Sequence, residues 1–296
     1  MALPADAVRV PAPAKVNLFL RVLAREASGY HALETLFCAL SLADEVVVRP
    51  SEPGVRLVVY GEVDTGPPER NLCVRAAKAF HAALGRPSAV TIELAKRIPS
   101  AAGLGGGSSD AAATLLALDA MHGGALGRDR LLQLAIGLGA DVPFFLCGSP
   151  LALGWSRGER LLALPPLPAR PVLVAHPGVD MPTPEAFRLL AEARGADGAA
   201  PEARAVSLEA LASWEGVAAL SGNDFEAVVV PRVAGLERVL AEMREAGAVV
   251  ARLAGSGASV FGVFETAAAR DGALERVRAT GMACWACETA GEPNPE

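Results

Sequence analysis

Three short segments of this chain carry side chains that could move a phosphoryl group. The segment PSAAGLGGGSSDAA, Pro99 to Ala112, sets Gly103, Gly105, Gly106 and Gly107 ahead of Ser108 and Ser109, with Leu104 between the first glycines. Glycines admit positive φ and close backbone approach, and the N–H groups that open a helix form an anion site, so this loop suits a polyphosphate. It is not a Walker A loop, because no Gly-Lys-Ser or Gly-Lys-Thr follows. The dinucleotide fingerprint fails too, since Ser108 stands where the last glycine belongs. A flexible glycine turn with Ser108, Ser109 or Asp110 as a helix cap would be written in similar letters. The second segment, PAPAKVNLFL (Pro11 to Leu20), holds Lys15 and Asn17 two residues apart, which places both on one face of a strand. The third, LGADVPFF (Leu138 to Phe145), sets Asp141 among apolar residues. A carboxylate there needs a partner, or serves as the cap of a following turn.

Lysine usage sharpens the choice. Of 27 basic residues only Lys15, Lys78 and Lys96 are lysines. An ammonium is a compact, flexible point charge where a guanidinium is a planar fork, so a position that must reach one oxygen resists arginine. Lys15 and Lys96 lie beside the segments above, whereas Lys78 falls in a helical pattern as an ordinary surface residue.

These side chains need a scaffold. Val16 to Leu23, Glu45 to Arg49, Val55 to Tyr60 and Ala89 to Leu94 are rich in Val and Leu and bounded by turn residues, so strands are expected. Helical spacing runs over Asn71 to Leu84, Ala111 to Met121 and Leu131 to Leu138. Prolines between Pro165 and Pro171 mark a connection, and Val172 to Ala175 opens a second unit as a buried strand. Beyond the polar stretch Gly195 to Ala203, expected as an exposed loop, helices over Pro231 to Ala246 and Ala267 to Thr280 alternate with strands at Val249 to Leu253, Val260 to Phe264 and Ala283 to Glu288. The mixture indicates an α+β protein, divided into residues 1–165 and 166–296.

With these elements in place, the glycine loop resembles the second motif of the GHMP kinases, in the form GLGGGSSDAA. Pro11 to Leu20 resembles the first motif, and LAGSGASVFGVF, Leu253 to Phe264, the third, which implies that Gly255, Ser256 and Gly257 form a second glycine loop packed against the first, with a plain β-turn as the lesser alternative. SGNDFE, Ser221 to Glu226, resembles a further segment of the family, and the matches span Pro13 to Phe264. The resemblance implies a two-domain GHMP kinase fold, with an N-terminal domain like ribosomal protein S5 domain 2, a ferredoxin-like C-terminal domain and the site between them. It also implies ATP, with Mg²⁺ bridging its phosphates, its protein ligands unidentified and Ser108 or Ser109 candidates. Asp141 would receive the proton of the attacking hydroxyl and Lys15 would steady the charge. Lys96, Pro99 and the loop from Gly103 to Ser109 would hold the nucleotide, with Asn71 and Leu72 near its base; an Asn-Leu pair before a helix is equally a cap and a core residue. Asp110 stands where some relatives carry Asn.

The acceptor is suggested by two more segments. SGYHALETLF (Ser28 to Phe37) and HPGVDMPTPEAF (His176 to Phe187) resemble the cytidine-binding segments of the GHMP branch whose acceptor is a cytidine-diphosphate-linked methylerythritol. The resemblance implies phosphorylation of its 2-hydroxyl in non-mevalonate isoprenoid synthesis. A pyrimidine stacks between aromatic rings while a polar group reads its edge, so Tyr30 and Phe187 form the sandwich and His31 the reader, with Asn17, Asp141 and Thr183 toward the rest of the substrate. Taken singly, Tyr30 and Phe187 read as core residues and His31 as a side chain that satisfies a backbone group. The alternatives are another GHMP kinase of homoserine or mevalonate type, and a catalytically silent GHMP sensor.

Composition limits the partners. A net charge of −6 and a pI near 5.4 oppose general attraction to nucleic acid. No apolar run has bilayer length and the first residues lack a secretion signal, so a cytoplasmic monomer or weak homodimer is expected, with a small-molecule substrate and neither nucleic acid nor membrane as partner. Five scattered cysteines, of which only Cys284 and Cys287 have CxxC spacing, do not form a disulfide framework.

Overall fold

The computed structural model describes residues 6–25, 31–61, 65–195 and 205–291. They fall into two compact units that interleave along the chain. The first is Met1–Ala14, Leu42–Ser100 and Gly105–Gly148; the second is Lys15–Ser41, Ala101–Leu104 and Ser149–Glu296. The interleaving follows from strand length: β1 (Val8–Arg25) has 18 residues and β2 (His31–Pro50) has 20, so each runs through both units.

In the first unit, β3 (Gly54–Tyr60) pairs parallel with β4 (Ala89–Ala95), which pairs antiparallel with Glu45–Pro50 of β2. Helix α1 (Leu72–Leu84) turns Val74, Ala77 and Phe80 inward at helical spacing and stops at Gly85, whose φ of 66° suits a residue without a Cβ. Helix α2 (Gly106–Met121) is buried along Ala111, Ala112, Ala113, Leu115, Ala117 and Leu118, as befits a helix apolar nearly all round. It starts five residues before the expected Ala111, because the loop geometry overrides the poor helix propensity of its opening glycines. Helix α3 (Gly127–Leu138) and a short 3₁₀ turn at Val142–Leu146 complete the unit around Val46, Ile92, Leu94 and Phe80.

In the second unit, Leu33–Cys38 of β2 pairs with β5 (Leu151–Ser156), which forms with β6 (Arg160–Leu164) a hairpin that the sequence patterns do not mark. Then β7 (Pro171–His176) leads through α4 (Thr183–Arg194), α5 (Leu208–Leu211), α6 (Trp214–Leu220), β8 (Gly222–Asn223), α7 (Glu226–Val229) and α8 (Leu236–Glu245) into β9 (Ala248–Leu253) and β10 (Val260–Phe264). Helix α9 (Ala267–Arg278) and β11 (Ala283–Glu288) end the chain's described elements. The expected helix over Pro231 to Ala246 is shorter, since Gly235 at φ 85° breaks it. The sheet order β11-β7-β10-β9, antiparallel throughout, with β-α-β-β-α-β connectivity, is ferredoxin-like. Cys284 and Cys287 lie on β11 three residues apart and so on opposite faces, which prevents them from sharing a ligand. Among the described residues no helix is long and apolar enough to cross a membrane.

Candidate active site

In the first unit, Gly105 precedes α2 in a left-handed conformation with φ 69°, and no side chain caps the helix. Ser108 and Ser109 therefore lie inside the first turn and Asp110 just beyond it, and the capping alternative for them is not realised. The Ser109 N–H bonds to the Gly105 carbonyl at 2.9 Å, so the N–H groups of Gly106, Gly107 and Ser108 lack a helical acceptor. The dipole of the helix adds partial positive charge at the same place, and together they favour an anion.

An ion cluster lies against this turn. Lys96 Nζ contacts Asp44 Oδ2 and donates to Asp110 Oδ2 at 2.8 Å, with all three residues buried. A Cβ on Gly106 would stand 3.3 Å from Lys96 Nζ, so the ammonium touches the loop itself. Two of its three donors are committed to carboxylates. Burial alone would lower the Lys96 pKa, but the Asp110 and Asp44 carboxylates outweigh burial and hold it above the usual lysine value. Burial pushes the Asp110 carboxyl up to about 7, with Lys96 opposing the rise and Asp44 adding to it.

Asp44 was not marked by any sequence pattern. Its other oxygen, Oδ1, accepts the backbone N–H groups of Arg97 and Ile98 at 2.5 and 2.8 Å, which fixes the chain between β4 and the loop. Asp44→Ala strands three donors at once, one of them a buried ammonium. A loss of about 3–5 kcal/mol of stability is expected, read as a lower urea midpoint at unchanged slope. A midpoint equal to the parent's would mean that Asp110 alone suffices for Lys96.

Asn71 caps α1, its Oδ1 accepting the Cys73 N–H at 2.9 Å. Leu72 and Pro99 are half-buried, and Lys78 lies exposed on α1. Asp141 stands half-buried at the start of the Val142–Leu146 turn, and its side chain makes no capping hydrogen bond.

In the second unit, the alternation of β1 brings Lys15 and Asn17 together as expected. Lys15 Nζ donates to Asn17 Oδ1 at 2.9 Å and to the Gly103 carbonyl at 3.0 Å, and lies 5.7 Å from the centre of the Phe37 ring. Asn17 Nδ2 donates in turn to Thr35 Oγ1 at 2.7 Å, and Thr35 Oγ1 to the Phe19 carbonyl at 2.7 Å. Asn17 is thus engaged in holding Lys15. The Leu104 carbonyl accepts the Lys15 backbone N–H at 2.9 Å. Gly103 itself has φ 77°, and a Cβ there would fall 2.0 Å from the Ala254 carbonyl oxygen. The second glycine loop therefore seats directly on the first, which is more than a plain turn at Gly255 to Gly257 would require.

His31 and Phe187 also meet, with ring centres 5.0 Å apart and planes within 20°. Phe225 abuts Phe187 edge-on at 4.9 Å. His31 thus covers one face of Phe187; Tyr30 lies outside the described residues. Thr183, the first residue of α4, exchanges a 2.9 Å hydrogen bond with Ser256 of the second glycine loop.

Residues 71–149 match the family pattern of the GHMP kinases N terminal domain, and residues 199–282 that of the GHMP kinases C terminal domain. A 4-diphosphocytidyl-2-C-methyl-D-erythritol kinase from an Anaeromyxobacter species is 44% identical over 270 residues, spanning 88% of this chain and 82% of the relative. The chain belongs to the GHMP kinases. A relative of the same description from Thermus thermophilus is 43% identical to this GHMP kinase over 283 residues, 95% of one chain and 96% of the other. A crystal structure of 4-(cytidine 5'-diphospho)-2C-methyl-D-erythritol kinase aligns with 96% of this GHMP kinase and 100% of that chain, at a TM-score of 0.79 and 39% identity. The two-domain GHMP kinase fold expected from the motifs is the one present, and the first family match contains Asn71, Lys96, the loop from Gly103 to Ser109 and Asp141.

Proposed function

We infer that this GHMP kinase transfers the γ-phosphoryl group of ATP to the 2-hydroxyl of 4-diphosphocytidyl-2-C-methyl-D-erythritol, in the cytoplasm, as a step toward isoprenoids. The observation that carries the acceptor is 43% identity sustained over 95% of the chain to a relative of that description, supported by the stacked His31 and Phe187 rings. We assign nucleotide binding chiefly to residues 1–165 and part of the acceptor site to residues 166–296.

The N–H groups of Gly106, Gly107 and Ser108 receive the phosphates, and Asn71, whose Oδ1 is taken by its cap, offers Nδ2 to the base. Asp141 accepts the hydroxyl proton as oxygen attacks phosphorus. The Lys15 ammonium, held by Asn17 and Gly103, stabilises the charge that develops. Ser109 Oγ and Asp110 Oδ1 are buried without a hydrogen-bond partner, and hard oxygens of this kind fit Mg²⁺. No cluster of three or more His, Cys, Asp or Glu suited to a metal occurs among the described residues; Ser108 or Ser109 and Asp110 would hold the ion together with phosphate and water. Bound there, Mg²⁺ would neutralise phosphate charge.

Stacking of a base on an aromatic ring contributes about 1–3 kcal/mol, so Phe187→Ala should raise the KM of the cytidyl acceptor by roughly 5- to 150-fold while the KM of ATP changes little. Steady-state kinetics with each substrate varied in turn decides the matter. Equal rises in both constants would remove Phe187 from the acceptor site.

A further inference from the structure

The polar residues of Ser221 to Glu226 have no part in the mechanism above, yet the side chains of Asn223, Asp224 and Glu226 bond to backbone at defined places. Asn223 is buried, on β8 beside β1. Its Nδ2 donates to the carbonyls of Leu253 and Gly255, both at 2.8 Å, and its Oδ1 accepts the Phe225 N–H at 3.0 Å. Two acceptors and one donor around it leave only this orientation of the amide. Glu226 Oε1 takes the Leu253 N–H at 2.9 Å, so both polar groups of that peptide position are held by one short segment.

What is held is the second glycine loop. A Cβ on Gly255 would lie 2.9 Å from the Gly103 carbonyl oxygen and 3.2 Å from Lys15 Nζ. The Gly103 oxygen is the atom that accepts Lys15 Nζ at 3.0 Å, and the Ser259 N–H reaches the Ala102 carbonyl at 3.3 Å. A displacement of Gly255 would therefore be felt by Gly103 and by the ammonium together, because close-packed backbone leaves no gap to absorb it.

We propose that Asn223 is a positioning residue for phosphoryl transfer, acting through the Gly255 and Gly103 peptides to hold the Lys15 ammonium in place. The proposal rests on the role of Lys15 given above. Asn223→Asp is nearly isosteric but turns an oxygen toward two carbonyls in place of two donor hydrogens. Its kcat should fall by ~10- to 100-fold, the effect of misplacing a catalytic group by about an ångström, while the KM of ATP and of the acceptor change less than about threefold. The decisive comparison is made in the Lys15→Met background at a temperature where every variant is folded by its melting curve. If Asn223 acts through Lys15, adding Asn223→Asp to Lys15→Met costs no further turnover; a merely structural role makes the two losses multiply. Asn223→Ser, which keeps one donor, serves in the same cycle if the Asp variant does not fold. Multiplicative losses, or an Asn223→Asp enzyme with the parent's kcat, overturn the proposal. Lys15→Met with full turnover overturns instead the reading on which it rests.

Discussion

Asp141→Asn should lower turnover by about 10³-fold or more and leave ATP binding intact. A positioned general base contributes ~10²- to 10⁴-fold, and Asn reproduces the size of Asp without its capacity to take a proton. The local structure sets Asp141 up for this test: Val142, Pro143 and Phe144 after it are buried and fix its backbone, while its side chain makes no capping bond whose loss would unravel the turn. ADP release measures turnover, and titration calorimetry measures nucleotide affinity. A variant that retains more than about a tenth of the parent's kcat would remove Asp141 from the role of base.

The second large effect is expected at Gly103. Gly103→Ala meets two obstacles, a φ of 77° and the Ala254 carbonyl oxygen 2.0 Å from the new methyl group. Gly123 provides the control, since it has φ 69° but nothing within 4 Å of a Cβ. Gly123→Ala should cost only the left-handed strain, about 1–2 kcal/mol, with turnover unchanged. Gly103→Ala should cost at least about twice that and lower kcat by ~10²-fold, because the same peptide carries the carbonyl that holds Lys15. Similar behaviour of the two variants in urea unfolding and turnover would show that seating one glycine loop on the other is not required.

Much of the site is written locally and so could be read from the sequence. The two-residue period of a strand put Lys15 and Asn17 on one face, and they meet at 2.9 Å. The glycine loop before an alanine-rich helix pointed to the free N–H groups that open α2, and the scarcity of lysine drew attention to Lys96. What stayed hidden depends on contacts between distant segments. Asp44 precedes its partner Lys96 by 52 residues and looks like any acid at the edge of a strand. Asn223 is joined to Leu253 and Gly255 only by the folding of β8 beside β9, and no periodicity reports a side chain aimed at carbonyls. The fold shows the same division: three of the four strands of the ferredoxin-like sheet, β7, β9 and β10, carry Val-containing apolar runs that stand out, whereas the β5–β6 hairpin has Gly154 and Arg160 in its strands and no Asn-Gly or Asp-Gly turn to mark it.

The most direct test of the account is ADP release by the purified protein with Mg-ATP and, in turn, 4-diphosphocytidyl-2-C-methyl-D-erythritol, homoserine, mevalonate and galactose. Selective turnover of the cytidyl compound is the predicted result. Turnover of another acceptor at an equal or higher kcat/KM, or silence with all four by a protein that still binds ATP, would contradict it.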